Sequence, residues 1–242
     1  MARSRRLIGI LAGVTVLVLV IVGFGAWWFF IRDDAPEAAN LADAQETLDA
    51  EAGGSTDPDT AVDGSWNVDT TVGAFSDFSN TWAGYRFDEQ LANIGANTAV
   101  GRTPDVSGSM TIDGNEVTAV AVDVNLTTLQ SDSPQRDGAM RGRGLQTDQF
   151  PTATFTLTEP VALPDQIGDS VSATATGELT IHGVTKPVTV DVQADVSGTT
   201  AAVVGQAPIV LGDYGIDAPT SLSVLSINEQ GTFEFQIFFT KA

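Results

Sequence analysis

Cysteine is absent from the chain, which excludes disulfides, thiolate metal ligands, a thiol nucleophile and an acylated lipoprotein cysteine. The absence assigns no compartment, because a domain of adequate size is stable outside the cell without bridges. Histidine is nearly as scarce. His182 stands alone, so a histidine-based metal site or catalytic triad would have to be built around one residue at a predicted hairpin turn, where local hydrogen bonding is the simpler role. Neither a G-x-S-x-G elbow nor a G-x-x-x-x-G-K-S/T loop occurs. Positive charge is sparse too: 11 Lys and Arg face 31 Asp and Glu, a formal net charge of −20 that argues against nucleic-acid partners. The carboxylates are scattered over strand ends and turns with no pair set apart for acid–base work, so the chain is expected not to be an enzyme.

What the sequence does have is an uncharged apolar run from Leu7 to Ile31. As a helix it would span ~37 Å, more than the ~30 Å hydrocarbon core of a bilayer. Arg3, Arg5 and Arg6 precede it, while Arg32, Asp33 and Asp34 follow. This imbalance predicts residues 1–6 in the cytoplasm, a single membrane span over 7–31 and the rest of the chain outside. Trp27, Trp28, Phe29 and Phe30 would sit at the outer interface. A cleaved signal peptide fits less well, because its apolar region is ~7–15 residues and ends at small side chains.

Residues 32–63 carry ten acidic residues against the single Arg32, with few large apolar side chains, and read as a disordered acidic spacer, either one that would hold the domain away from the lipid or a merely solubilising linker. Asn40 to Ala50 has only a thin helical face. Residues 64–242 form one domain with 21 acidic and 7 basic residues. Its dominant period is two. Trp66, Val68, Thr70 and Val72 alternate with polar residues. Val106 to Ile112 and Val120 to Leu126 flank the turn Asp113-Gly114-Asn115, and Val171 to Ile181 and Val188 to Ala194 flank His182-Gly183. Phe233, Phe235, Ile237 and Phe239 end the chain in the clearest alternation. Ser133-Pro134 opens the one short helix expected in the domain. Eight or more strands with one helix predict an all-β barrel or sandwich.

Two features bear on a site. One inward face is large (Phe233, Phe235, Ile237, Phe239) and another small (Ala173, Ala175, Gly177), a pattern compatible with an apolar lumen or with complementary packing. The candidate lumen lining is Trp66, Val122, Phe155, Leu179, Phe233, Phe235 and Ile237. The second feature is the cluster Asp132, Arg136, Asp137, Arg141 and Arg143. Arg141 and Arg143 are candidates for holding an anionic headgroup, whereas an Arg–Asp network pinning the connection to the barrel rim is the structural alternative.

Gly64-Ser65-Trp66-Asn67-Val68-Asp69, Val100-Gly101-Arg102-Thr103 before Val106 and Gly108, Leu129 with Arg136-Asp137, Phe150-Pro151 with Ala153 and Phe155, and Gly177 with Leu179-Thr180-Ile181-His182-Gly183-Val184-Thr185-Lys186-Pro187-Val188 together resemble the YceI-like family over residues 64–242. The arrangement with an N-terminal anchor is similar to the membrane-bound versions of Gram-positive actinobacteria. The resemblance implies a lipocalin-like, extended antiparallel β-barrel of about eight strands that binds an isoprenoid lipid or quinone, for sequestration or transfer at the outer face of the cell membrane. It implies no other cofactor. The alternative is an envelope protein-interaction module with a filled barrel. Gly138-Ala139-Met140-Arg141 and the segment Phe75 to Tyr85 depart from the family pattern.

Overall fold

A computed structural model describes residues 20, 35–52, 62–92, 95–164, 170–221 and 224–242. The run Leu7 to Ile31 lies outside these residues apart from Val20, and among the described residues no helix is long and apolar enough to cross a membrane.

The described residues form one antiparallel sheet of twelve strands: β1 (Gly64–Asp69), β2 (Trp82–Leu91), β3 (Gly95–Thr103), β4 (Val106–Asp113), β5 (Glu116–Asn125), β6 (Gln130–Ser131), β7 (Thr152–Leu157), β8 (Val161–Ala162), β9 (Val171–Ile181), β10 (Val184–Ser197), β11 (Thr200–Val210) and β12 (Val224–Lys241). Eight of them close into a barrel in the order β1-β4-β5-β7-β9-β10-β11-β12, because β12 pairs back onto β1 with Trp66 opposite Lys241. Closure removes the free edges of these eight strands that would otherwise template aggregation. The 18 residues of β12 serve two partners along one edge. Phe238 to Lys241 pair with β1, whereas Val224 to Gln236 pair with β2, which in turn carries β3 and β6.

The β4–β5 turn has Gly114 at φ 58°, and the β9–β10 loop places His182 at φ 53° and Gly183 at φ 74°. Two successive positive φ values in a two-residue loop make a type I′ turn, whose twist matches that of the paired strands. Helix α2 spans Pro134–Ala139, with the Ser133 hydroxyl accepting from the Arg136 N–H at 3.4 Å, and continues as a π-turn over Met140–Gly144.

The reading of 32–63 as a disordered spacer does not hold for residues 35–52. Helix α1 (Leu41–Ala52) packs on the outside of β10 and β11. Leu41, Ala44 and Leu48, spaced i, i+3 and i+7, make one buried face against Val72, Ala202, Val204 and Phe238, forming a second small core outside the barrel. Asn40 caps the helix. Its Oδ1 accepts from the Asp43 N–H at 3.0 Å and its Nδ2 donates to the Asp43 carboxylate at 2.7 Å. The apolar face is thin, as the sequence suggests, but it needs to match only a small patch on the sheet.

Ahead of α1 the backbone is bonded to the barrel. Arg86 Nη2 donates to Pro36 O at 2.5 Å, Arg102 Nη2 donates to Glu37 O, and Gln206 Nε2 donates to Ala39 O at 3.2 Å. Beneath this strap lies Glu234, fully buried, whose carboxylate receives Arg102 Nη2 at 2.9 Å and Arg86 Nε at 3.4 Å. The Arg102 guanidinium also stacks over Trp82, 3.7 Å from the ring centroid, with Phe78 at 4.6 Å. Burial lowers the pKa of Arg102 despite the opposing carboxylate of Glu234. The strap therefore cannot hold the barrel at arm's length from whatever precedes it. Residues 32–34 and 53–61 of the expected spacer lie outside the described residues.

Candidate functional site: an apolar lumen

Inside the barrel is a cavity of ≈ 140 Å³. Its wall is apolar apart from Thr154, and is drawn from inward positions of β4, β5, β7 and β9 to β12. The strands alternate, so every second residue faces the interior: Ala173, Ala175 and Leu179 on β9, Val188, Val190 and Val192 on β10, and Phe233, Phe235 and Ile237 on β12. Several of these, including Val188, Val192, Val203, Phe233 and Phe235, remain only half-buried although they point inward.

The sequence keeps the interior hollow by pairing rings with glycines. Tyr85 lies across Gly101, Phe87 across Gly231 and Phe235 across Gly205, each pair directly opposed on neighbouring strands, and Phe155 lies diagonally across Gly177, two positions from its direct partner Leu179. A Cβ on any of these four glycines would collide with the ring. The aromatic side chains lie flat on the barrel wall in the space a Cβ would occupy, so large residues coexist with an empty centre.

A second apolar chamber of ≈ 40 Å³ adjoins the first and shares Ala83, Val124, Ala153 and Phe233 with it. It is capped by Leu129, Met140, Leu145, Leu211 and Ile216, from the connections that close the α2 end of the barrel. Tyr85 also lines it. Its hydroxyl is buried with no hydrogen-bond partner, and burial pushes its pKa up, with Asp137, Glu89 and Asp132 adding to the rise and Arg136 opposing it.

Of the candidate lining residues, Val122, Phe155, Leu179, Phe233, Phe235 and Ile237 stand on the main cavity wall. Trp66 does not. It is fully buried in the solid part of the core, and its Nε1 donates to Val62 O at 2.9 Å. Lys241 Nζ sits 5.9 Å from its ring centroid. The strand alternation that places Trp66 inward is right, but at that end the barrel is filled.

Arg141 and Arg143 project from the π-turn and are exposed, and neither belongs to the wall of either chamber. Arg136 behaves differently. Its guanidinium donates to Glu89 at 2.5 Å and to Asp132, tying α2 to β2. Burial works against its charge, but the two carboxylates outweigh it and raise its pKa. Asp137 accepts from the Ser131 N–H at 2.9 Å and hydroxyl at 2.6 Å, fixing α2 to β6. The arginine–aspartate cluster therefore pins the connection to the rim. His182 is likewise held in place: its Nδ1 lies 3.1 Å from Tyr214 O and its ring meets Phe150 edge-on at 4.5 Å.

Tyr85 and Val203 are wall residues that the pattern of the sequence does not reveal. Ala202 and Val204, which face outward beside Val203, are apolar because α1 covers them, so β11 shows no alternation. Trp82 to Tyr85 are buried on both faces for a similar reason.

A closed eight-stranded barrel with a hollow apolar interior defines a class of ligand-holding proteins, and similarity narrows it. Residues 66–239 match the YceI-like domain, and the chain belongs to the YceI-like family. A UPF0312 protein of Pseudomonas aeruginosa is 36% identical over 136 residues, covering 52% of this chain and 68% of that protein. One from Shewanella oneidensis is 34% identical over 148 residues, covering 56% and 74% respectively. In fold, the chain is similar to a polyisoprenoid binding domain from Saccharophagus degradans implicated in plant cell wall breakdown, with a TM-score of 0.56 and 17% identity over 73% of this chain and 98% of that one. BcnA of Burkholderia cenocepacia gives a TM-score of 0.52 and 16% identity over 65% and 95%.

Proposed function

We propose that this protein is a membrane-anchored, extracytoplasmic binding protein for isoprenoid or other long amphiphilic lipids, and not an enzyme. Leu7 to Ile31 is the single span, residues 1–6 are cytoplasmic and the barrel lies outside. The reading of the span rests on run length and on the arginines that precede it. The observation that carries lipid binding is the lumen, whose inward valines and phenylalanines stay half-accessible inside a closed barrel. Each tail methylene moved from water to such a wall contributes about 0.8 kcal/mol, offset in part by the ordering of a flexible tail. A long, branched, flexible hydrocarbon suits an apolar lumen with a second apolar chamber beside it, and family membership together with the polyisoprenoid-binding neighbour supports the isoprenoid class.

The test is purification of the full chain in detergent, solvent extraction and mass spectrometry of the extract. An isoprenoid or similar lipid is expected at close to one per chain. A chain that carries no lipid and takes none up from added isoprenoids would leave an envelope protein-interaction module as the better account.

A further inference from the structure

The place where the strap grips the barrel decides which end of the barrel can stand on a bilayer. Pro36 is held at Arg86, and a tether of at most ~18 Å joins it to Ile31, the end of the proposed span. Arg86 stands opposite Thr232 on β12. From Thr232 to Lys241, at the end that holds Trp66, the strand covers ~30 Å, or ~23 Å along the axis of a barrel whose strands tilt by ~40°. Standing that end on the lipid would lift Pro36 farther from the bilayer than the tether reaches. In the other direction, Arg86 and Glu89 are only ~10 Å apart along β2, and Glu89 is where Arg136 ties down α2. Between the two ends, the tether admits the α2 end to the membrane.

The chemistry of that end differs from the rest of the domain. Arg86, Arg102 and Arg136 are each bonded to carboxylates, whereas Arg141 and Arg143 project from the π-turn, are exposed, and make no hydrogen bond or ion pair with another described residue. The π-turn adjoins the segment leading into β12, for a Cβ on Gly144 would stand 3.8 Å from Pro219 Cδ. Leu225, near the start of β12, is the exposed large apolar side chain among the described residues 62–242, at 59%. The exposed carboxylates Asp88, Asp148, Asp213, Asp217 and Glu229 share this end, with Lys186 half-buried beside the β9–β10 turn and Asp132 held by Arg136. The end as a whole is therefore not basic and would draw the barrel only weakly from a distance. A tethered domain needs no long-range pull. At contact, two guanidinium forks match phosphate oxygens, and their carboxylate neighbours limit the strength of the contact.

We infer that the α2 end is a membrane-docking face, on which Arg141 and Arg143 engage the phosphates of anionic lipid headgroups and Leu225 enters the interfacial layer. The inference rests on the reading of Leu7 to Ile31 as a span, and adds to it the orientation of the barrel and the surface it turns to the lipid.

The absence of cysteine makes single labels straightforward. The full chain is placed in nanodiscs of phosphatidylcholine and phosphatidylglycerol, with a nitroxide at Gly142→Cys in the π-turn or at Thr199→Cys in the β10–β11 turn of the opposite end. A gadolinium-chelating lipid supplies relaxation from the headgroup layer. The nitroxide at 142 is expected to relax several-fold faster than the one at 199. Changing Arg141→Ala and Arg143→Ala is expected to lower the ratio of docked to undocked barrel roughly fivefold for each arginine, which corresponds to about 1 kcal/mol per basic side chain at an anionic surface. Discs of phosphatidylcholine alone should give a similar fall. Equal relaxation at the two positions, faster relaxation at 199, or a signal at 142 that ignores both the arginines and the anionic lipid overturns the inference. The comparison of the two labels keeps both arginines, so it stands whether or not the double variant folds. A chain that leaves the discs during gel filtration at high salt would show instead that Leu7 to Ile31 is not a span, and the inference would fall with that reading.

Discussion

Along the middle of β12, Glu234, Gln236 and Phe238 point outward and are buried to 0, 2 and 0% exposure, whereas Phe233 and Phe235 point inward and are only half-buried. An ordinary barrel strand has the opposite distribution, polar side chains wet and aromatic ones sealed. Here the outer face is covered by the strap and α1, and the inner face is left uncovered. The contrast separates two jobs within one strand. Stability comes from the outside of this wall, where Glu234, Arg102 and the second small core are packed, while the inside is free of the dense packing that would exclude a ligand.

Filling the inside is the most severe way to break this contrast. Ala175→Phe is expected to abolish lipid binding, read by extraction and mass spectrometry, while the melting temperature stays near wild type. A large fall in melting temperature with loss of folded protein would mean that the interior was already full, since overpacking a tight core costs about 1–3 kcal/mol. Breaking the outside gives the next effect. Glu234→Ala strands the Arg102 guanidinium without its carboxylate and is expected to lower stability by about 3–5 kcal/mol in chemical denaturation. Lipid content per folded molecule should not change, and a loss of lipid in folded Glu234→Ala would show that the two faces are coupled. The mildest change sharpens the comparison. Leu48→Ala removes one apolar anchor of α1 and is expected to cost about 2–3 kcal/mol, the low end for a buried leucine. In hydrogen exchange, residues 41–52 should lose protection while β9, β10 and β12 keep theirs. Loss of protection across the whole barrel would show that the strap and barrel unfold as one unit.

The parts of this molecule legible in the sequence are those where one face is wet and the other is not. The β4–β5 and β9–β10 hairpins stand out because Asp113-Gly114 and His182-Gly183 punctuate clean alternation, and six of the wall residues follow from alternation along β5, β7, β9 and β12. β2, β3 and β11 were hidden because covering segments bury both of their faces, and alternation disappears when both sides are dry. Glu234 illustrates the same limit. A lone glutamate between phenylalanines reads as a solvated outward residue, and its burial depends on arginines about 130 and 150 positions earlier and on the strap that covers all three. The composition of α1 alone gives only a weak helical signal. The patch it covers on β11 and β12 is what makes three small anchors sufficient.

The strap also fixes the length of the leash. With Leu7 to Ile31 as the proposed span, only five peptide units separate Ile31 from Pro36, whose carbonyl is bonded to the barrel, so the contour between them cannot exceed ~18 Å. A free spacer running to residue 63 would have let the domain wander over a radius of ~30 Å. If Leu7 to Ile31 is the span, pulling the attachment point forward from β1 to the flank of β2 and β12 would confine the barrel to a thin layer above the bilayer. It would raise the barrel's local concentration toward any lipid leaving that leaflet, and encounters with cargo would become a short-range search along a surface.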